Sequence, residues 1–249
     1  MLSAKIVFID FDDTLSDPFL LHPQYVRALG TLLALRFGGS EDRWAKAAID
    51  TLESVEREYN ARFERNPLSG YCSWLEQVRE RSARQMFKQM EITAPASIVR
   101  IAREMQFDAL LKCNSAFPGA LEALNQLCEQ AWRIQIASGQ ESDYLAAALR
   151  GAGIDCCIES KFGPDLVDCA KEGPEFYERI FGACGVQAEE AIVVDDWPPA
   201  IRWALQTGAR VIQSKLSRER HFEIVEGVSA VMTDVRDLPT LLGAFAGRS

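Results

Sequence analysis

A short β-branched, apolar run at residues 5–9 (KIVFI) ends at Asp10, and no further run of that kind occurs until residue 133. From there on the pattern is regular. Strand-like runs recur at Arg133–Ala137 (RIQIA), Ala191–Val194 (AIVV), Arg210–Ile212 (RVI) and Ala230–Met232 (AVM). Between and after them lie amphipathic helical patterns at 120–130, 142–150, 174–183, 199–206 and 238–245. Continuous apolar runs suit strands covered on both faces, and strands alternating with helices dictate a parallel sheet with right-handed crossovers. The stretch from 16 to 115 reads instead as helix throughout, at 24–37, 41–65, 73–90 and 95–113. Gly38-Gly39, the segment Asn66–Gly70 and Pro95 punctuate it. Connections in a doubly wound sheet are short, so this stretch cannot be one crossover. The expected architecture is α/β: a Rossmann-like parallel-sheet core from residues 1–15 and 116–249, with an all-helical domain, 16–115, inserted after the first strand. Charge divides the same way. The insert holds 14 Lys+Arg against 13 Asp+Glu, whereas the remainder holds 13 against 23.

That acidic balance, net −9 overall, disfavours a general nucleic-acid binder, which needs basic surface to displace counterions. The seven cysteines, at 72, 113, 128, 156, 157, 169 and 184, form no CxxC pair, so no zinc ribbon or thioredoxin-like motif is indicated. They are expected to be free thiols, with adjacent Cys156 and Cys157 in the core. No apolar run approaches a membrane span or a secretory signal, and the expected setting is cytoplasmic.

The first strand runs directly into Asp10-Phe11-Asp12-Asp13-Thr14. Ligands of open α/β sheets sit beyond the carboxyl ends of the strands, where these acids fall. A dinucleotide-binding chain would have a glycine-rich turn here. Three carboxylates in four residues repel one another unless a cation or proton intervenes, and oxygen donors without histidine or thiolate favour Mg²⁺. Taken alone, the segment also reads as an acidic surface turn. Three further segments follow in order: Ser138-Gly139 at the end of RIQIA, Lys171 ahead of a helix, and Asp195-Asp196 at the end of AIVV. Each is weak singly, but together they occupy successive strand ends.

These four segments resemble the motifs of the haloacid dehalogenase superfamily, in particular its phosphatase-like members with a helical cap between the first and second motifs. Asp10-Phe11-Asp12-Asp13-Thr14 resembles the DxDxT motif, Ser138 the second and Asp195-Asp196 the fourth. Lys171 with Pro174 and Phe176 is similar to the third, except that Glu172 replaces a proline. Only 32 residues separate Ser138 from Lys171, too few for a second cap. The resemblance implies a Mg²⁺-dependent hydrolase of small phosphomonoesters. Asp10 would be the nucleophile and Asp12 the general acid and base. Thr14, Ser138 and Gly139 would bind the phosphoryl oxygens, and Lys171 would offset the gathered negative charge. The metal would bridge Asp10, Asp12 through its backbone carbonyl, and Asp196, with Asp195 in support. Dehalogenating relatives lack an aspartate at the position of Asp12, so its presence favours phosphoryl chemistry.

Asp13 receives no role in this reading. His22 is read as either substrate-facing or a solvated hinge, and Trp197 as packing. The insert's eleven arginines against three lysines leave room for a second anionic group on the substrate, although most are expected in i,i+4 pairs with glutamate. The rival readings are a phosphotransferase or mutase, a dehalogenase-type hydrolase, and a non-catalytic binding protein on the same fold. The expected partner is a small phosphorylated metabolite rather than nucleic acid or membrane.

Overall fold

The computed structural model describes residues 5–64, 66–68, 70–217 and 219–246. Strand β1 (Ile6–Ile9) is followed by four helices, α1 (Pro18–Phe37), α2 (Glu41–Phe63), α3 (Tyr71–Gln89) and α4 (Ile98–Leu110). Helices and strands then alternate: α5 (Ala120–Glu129), β2 (Arg133–Ala137), α6 (Ser142–Gly151), β3 (Ile158–Phe162), α7 (Pro164–Val167) and α8 (Pro174–Cys184). The chain continues through β4 (Ala191–Asp195), α9 (Pro198–Gln206), β5 (Arg210–Ser214), β6 (Ala230–Met232) and α10 (Leu238–Ala246). All six strands pair in parallel, in the order β3-β2-β1-β4-β5-β6. This is the Rossmann-like α/β sheet read from the sequence. The strand order reverses at β1, between β2 and β4, which opens a crevice at their carboxyl ends.

Period-two alternation explains why β1 is apolar throughout. Val7 and Ile9 join the core on one face of the sheet, and Ile6 and Phe8 join the core on the other. The second face is closed by Phe176, Tyr177, Ile180 and Phe181 of α8 and by Ile201 and Ala204 of α9. The first face takes α5, α6 and α10, and its core continues without a break into α1, α2 and α4.

Two elements differ from the sequence reading for physical reasons. Helix α1 starts at Pro18, six residues before the expected Gln24, because the Asp17 side chain accepts from Phe19 N at 2.9 Å and Pro18 needs no N–H at N1. Pro23 stays within the helix. Its missing N–H forfeits only the bond to the Phe19 carbonyl, near an exposed end. Strand β3, IESKF, forms the sheet edge, and its mixed composition hid it. Cys156 and Cys157 also lie outside the expected core: Cys156 is half-buried, Cys157 is exposed, and all seven cysteines are free. No helix among the described residues is long and apolar enough to cross a membrane.

The helical insert leaves and rejoins the sheet at one place. Ser16 Oγ and Ser115 Oγ are 2.7 Å apart, Asp17 N donates to Ser115 O at 2.8 Å, and Phe117 N donates to Leu15 O at 2.9 Å. At its far end α6 presses on this exit: a Cβ on Gly151 would stand 2.2 Å from Leu110 O and 2.7 Å from Cys113 O. Gly151→Ala should therefore lower stability by about 1–3 kcal/mol despite alanine's better helix propensity. Urea unfolding reads this as a lower midpoint at unchanged slope.

Candidate active site

The crevice gathers Asp10 after β1, Ser138 after β2, and Asp195 and Asp196 from the end of β4. Asp10 N donates to Val194 O at 2.8 Å, so the β1–β4 ladder runs on into the site and fixes the height of the carboxylate. Lys171, in the turn ahead of α8, reaches into this acidic group. Its Nζ donates to Asp10 Oδ1 at 2.8 Å, to Asp195 Oδ2 at 2.7 Å and to Ala137 O at 3.2 Å. Its three donors are thereby all used. Tyr177 OH donates to the same Asp195 oxygen at 3.0 Å, and Trp197 N donates to Asp195 Oδ1 at 3.0 Å. Asp195 is fully buried and fully committed, which makes it the anchor for Lys171.

One ammonium does not balance this cluster. Burial, partly offset by Lys171 and reinforced by Asp195, pushes Asp10 up to about 7. Asp196 rises further, to about 9, through burial and then the negative charges of Asp195, Asp10 and Asp13. Its Oδ2 is buried without a hydrogen-bond partner among the described residues. Carboxylate oxygens of Asp10, Asp195 and Asp196 lie within 4.8 Å of one another. An unpartnered buried oxygen in an all-oxygen, under-neutralised cluster fits a hard divalent cation such as Mg²⁺.

Asp12 lies apart from that trio. Its half-buried carboxyl accepts from Gln140 Nε2 at 2.9 Å. Burial raises its pKa, an effect opposed by the Gln140 bond and added to by Asp13. Thr14 is fully buried with its hydroxyl unpartnered among the described residues. Among the described residues Ser138 Oγ accepts a single long bond, 3.3 Å, from Gln140 N, and Gly139 is exposed beside it. Asp13 adopts φ 54°, a left-handed turn that aspartate tolerates, and Ser214 Oγ donates to its carbonyl at 2.9 Å. Arg220 Nη1 stands 3.2 Å from Asp13 Oδ2, close enough for charge attraction but outside hydrogen-bond geometry. Gln140, Tyr177, Ser214 and Arg220 were not among the expected residues, because their contacts arise only in the folded chain. His22 is exposed within α1 rather than at a hinge, and Trp197 packs on Trp203 with ring centroids 5.3 Å apart.

A family model described as haloacid dehalogenase-like hydrolase matches residues 4–206. A phosphoglycolate phosphatase of Rhodospirillum rubrum is 27% identical over 129 residues, 52% of this chain and 54% of that one. The chain thus spans about half the length of that curated relative. Among solved structures, a 2-haloacid dehalogenase from Pseudomonas syringae pv. tomato superposes with TM-score 0.70 at 18% identity, covering 97% of this chain and 99% of that one. A putative hydrolase from Bacillus subtilis, bound to magnesium, gives TM-score 0.61 at 15% identity, covering 96% and 98%. At such identities the structural likeness is one of fold.

The raised acids set a pH dependence in metal-free protein. Between about pH 4 and pH 9 the native state keeps a proton on Asp196 that the unfolded chain has released, so raising the pH favours unfolding. The stability tied to this proton is fully present below about pH 4 and is lost as the pH climbs toward 9. Asp196→Asn removes that term. Melting in EDTA should show the variant gaining on the wild type steadily from pH 6 to pH 9; a constant difference would contradict the assignment.

Proposed function

The chain belongs to the haloacid dehalogenase-like hydrolase family, and from that premise we propose that it hydrolyses small phosphomonoesters with Mg²⁺ through an aspartyl-phosphate intermediate. The observation that carries this reading is the Asp12 carboxyl, two residues beyond Asp10, oriented by Gln140 and kept protonatable by burial. An alkoxide leaving from phosphorus needs a proton, and a halide leaving from carbon does not. A carboxylic acid at this position has work to do only in the first case. The name of the Rhodospirillum relative, a phosphatase, and the magnesium in the Bacillus structure point the same way.

In this reading the insert, 16–115, caps the core formed by 1–15 and 116–249. Asp10 is the nucleophile. Lys171 holds its Oδ1 and leaves the other oxygen to attack phosphorus. As the bond from phosphorus to the leaving oxygen breaks, Asp12 gives that oxygen its proton. The resulting Asp12 carboxylate then takes a proton from water, whose oxygen attacks the aspartyl-phosphate and releases inorganic phosphate and Asp10. Thr14 and Ser138, whose hydroxyls have free hydrogen-bonding capacity, donate to the phosphoryl oxygens with Gly139 beside them. Asp10, Asp196 and the Asp12 carbonyl would hold the Mg²⁺, with Asp195 behind them. When bound, the ion supplies the positive charge that lets a phosphate approach an anionic nucleophile.

A phosphomonoester panel with Mg²⁺ and with EDTA tests the reading. Phosphate release should require the metal and be abolished in Asp10→Asn; halide release from a 2-haloacid without phosphatase activity would overturn it. Asp12→Asn should lower kcat by about 10²–10⁴-fold on alkyl phosphates and much less on p-nitrophenyl phosphate, whose leaving group needs little protonation. Equal losses on both would remove Asp12 from the acid role.

A further inference from the structure

A cavity of 530 Å³ lies among the helices of the insert and reaches down to Gly139, Gln140 and Glu141, the residues immediately after Ser138. Tyr25 of α1, Trp74 and Val78 of α3, Ile101 of α4 and Tyr144 of α6 wall it. Its floor is part of the site already described, because the Gln140 amide that lines it is the group bonded to Asp12. The Tyr144 hydroxyl lies near enough to Asp12 for that carboxylate to add to the effect of burial in raising its pKa. The volume is that of a site for a drug-sized ligand, of which a two-carbon hydroxy acid would fill a small part.

The polar groups of the wall tell against an anionic guest. Arg79 is paired with Glu141 and Arg103 with Asp143. Both arginines lining this cavity are therefore paired with a carboxylate, although the buried Nε–H of Arg79 has no partner among the described residues, and Glu56 on the wall is a further acid. A carboxylate or second phosphate entering here would lose water and have to compete with Glu141 and Asp143 for these guanidiniums, a cost that a neutral apolar group escapes. Packing an aryl group against Trp74 and the tyrosines gains apolar burial and ring contacts instead.

On the phosphomonoester reading given above, we propose that the leaving alcohol of the substrate carries a bulky, neutral, apolar group, aryl in character, that fills this cavity while the phosphate lies in the acidic crevice. The arginine-rich composition of the insert then reflects ion pairs at its surface and seam, not recognition of a second anion.

The test compares phosphoglycolate, phenyl phosphate and 1-naphthyl phosphate on the wild type with Mg²⁺. kcat/KM should rise along that series, by about tenfold or more from the first to the last. Val55 and Ser82 are half-buried, line the cavity and lie outside the catalytic group. Val55→Phe and Ser82→Phe should raise KM for 1-naphthyl phosphate by about tenfold and change phosphoglycolate turnover by less than about twofold. Saturable quenching of tryptophan fluorescence by 1-naphthol should accompany wild-type selectivity and weaken in both variants, a readout that survives any loss of activity through misfolding. Turnover with no preference for the naphthyl ester, or with phosphoglycolate preferred, overturns this inference and leaves the phosphatase reading standing. No turnover of any of the three overturns both.

Discussion

The Lys171 ammonium between Asp10 and Asp195 is the interaction on which the rest of the site depends. Bringing two strand ends together at the point where a parallel sheet reverses its order crowds carboxylates that would repel one another, and burial forbids solvent from screening them. One buried cation with all its donors used resolves part of that conflict. The Tyr177 hydroxyl and the Trp197 amide complete the shell of Asp195, which fixes that carboxyl and with it the position of Lys171. Asp10 and Asp196 remain crowded there, the latter with an unpartnered buried oxygen, and burial together with the neighbouring carboxylates raises the pKa of both. The site is assembled with an electrostatic deficit that a bound cation would relieve.

The same loops that carry this chemistry are fastened to the helical insert. Ala170 N, one residue before Lys171, donates to Pro67 O at 2.9 Å, and Cys72 N donates to Asp168 Oδ1 at 2.8 Å. On the other side Arg79 grips Glu141, three residues beyond Ser138. An aromatic group of Tyr59, Phe63, Tyr71 and Trp74 packs against Ala170 beneath these bonds. The turn bearing Lys171 and the turn following Ser138 are thus both tied to the insert, which limits the freedom of both.

What the sequence disclosed, and what it withheld, follows from where each signal resides. Strands β1, β2, β4 and β5 were legible because strands inside a parallel sheet must be apolar on both faces; of the two edge strands, β6 kept an apolar run (AVM), whereas β3 carries Glu159, Ser160 and Lys161 and was missed. The start of α1 was obscured by Pro23, which resembles a helix beginning more than a helix interior. Asp10, Ser138 and Asp196 could be singled out because each stands at or just after the end of a strand-like run, a position with chemical meaning in this kind of sheet, and Lys171 because it stands just ahead of a helical pattern between two of them. Gln140 and Tyr177 could not, since an amide in a turn and a phenol on a helix carry no local mark of the carboxylates they meet. The cavity left no trace either: its apolar walls have the same periodicity as a packed helical core.

The junction at Ser16 and Ser115 has a consequence for how the chain folds. Strand β1 is the centre of the sheet, yet its partners β2 and β4 lie far downstream, and contacts between distant segments are slow to form because the intervening chain must first be brought to a close. The insert is built largely from helices neighbouring in sequence, a kind of structure that forms rapidly. Once they pack, the two crossing segments stand side by side, and the long interval between β1 and β2 behaves as though it were a short turn. The helices of the insert would then act as the splint that lets the middle of the sheet find its neighbours.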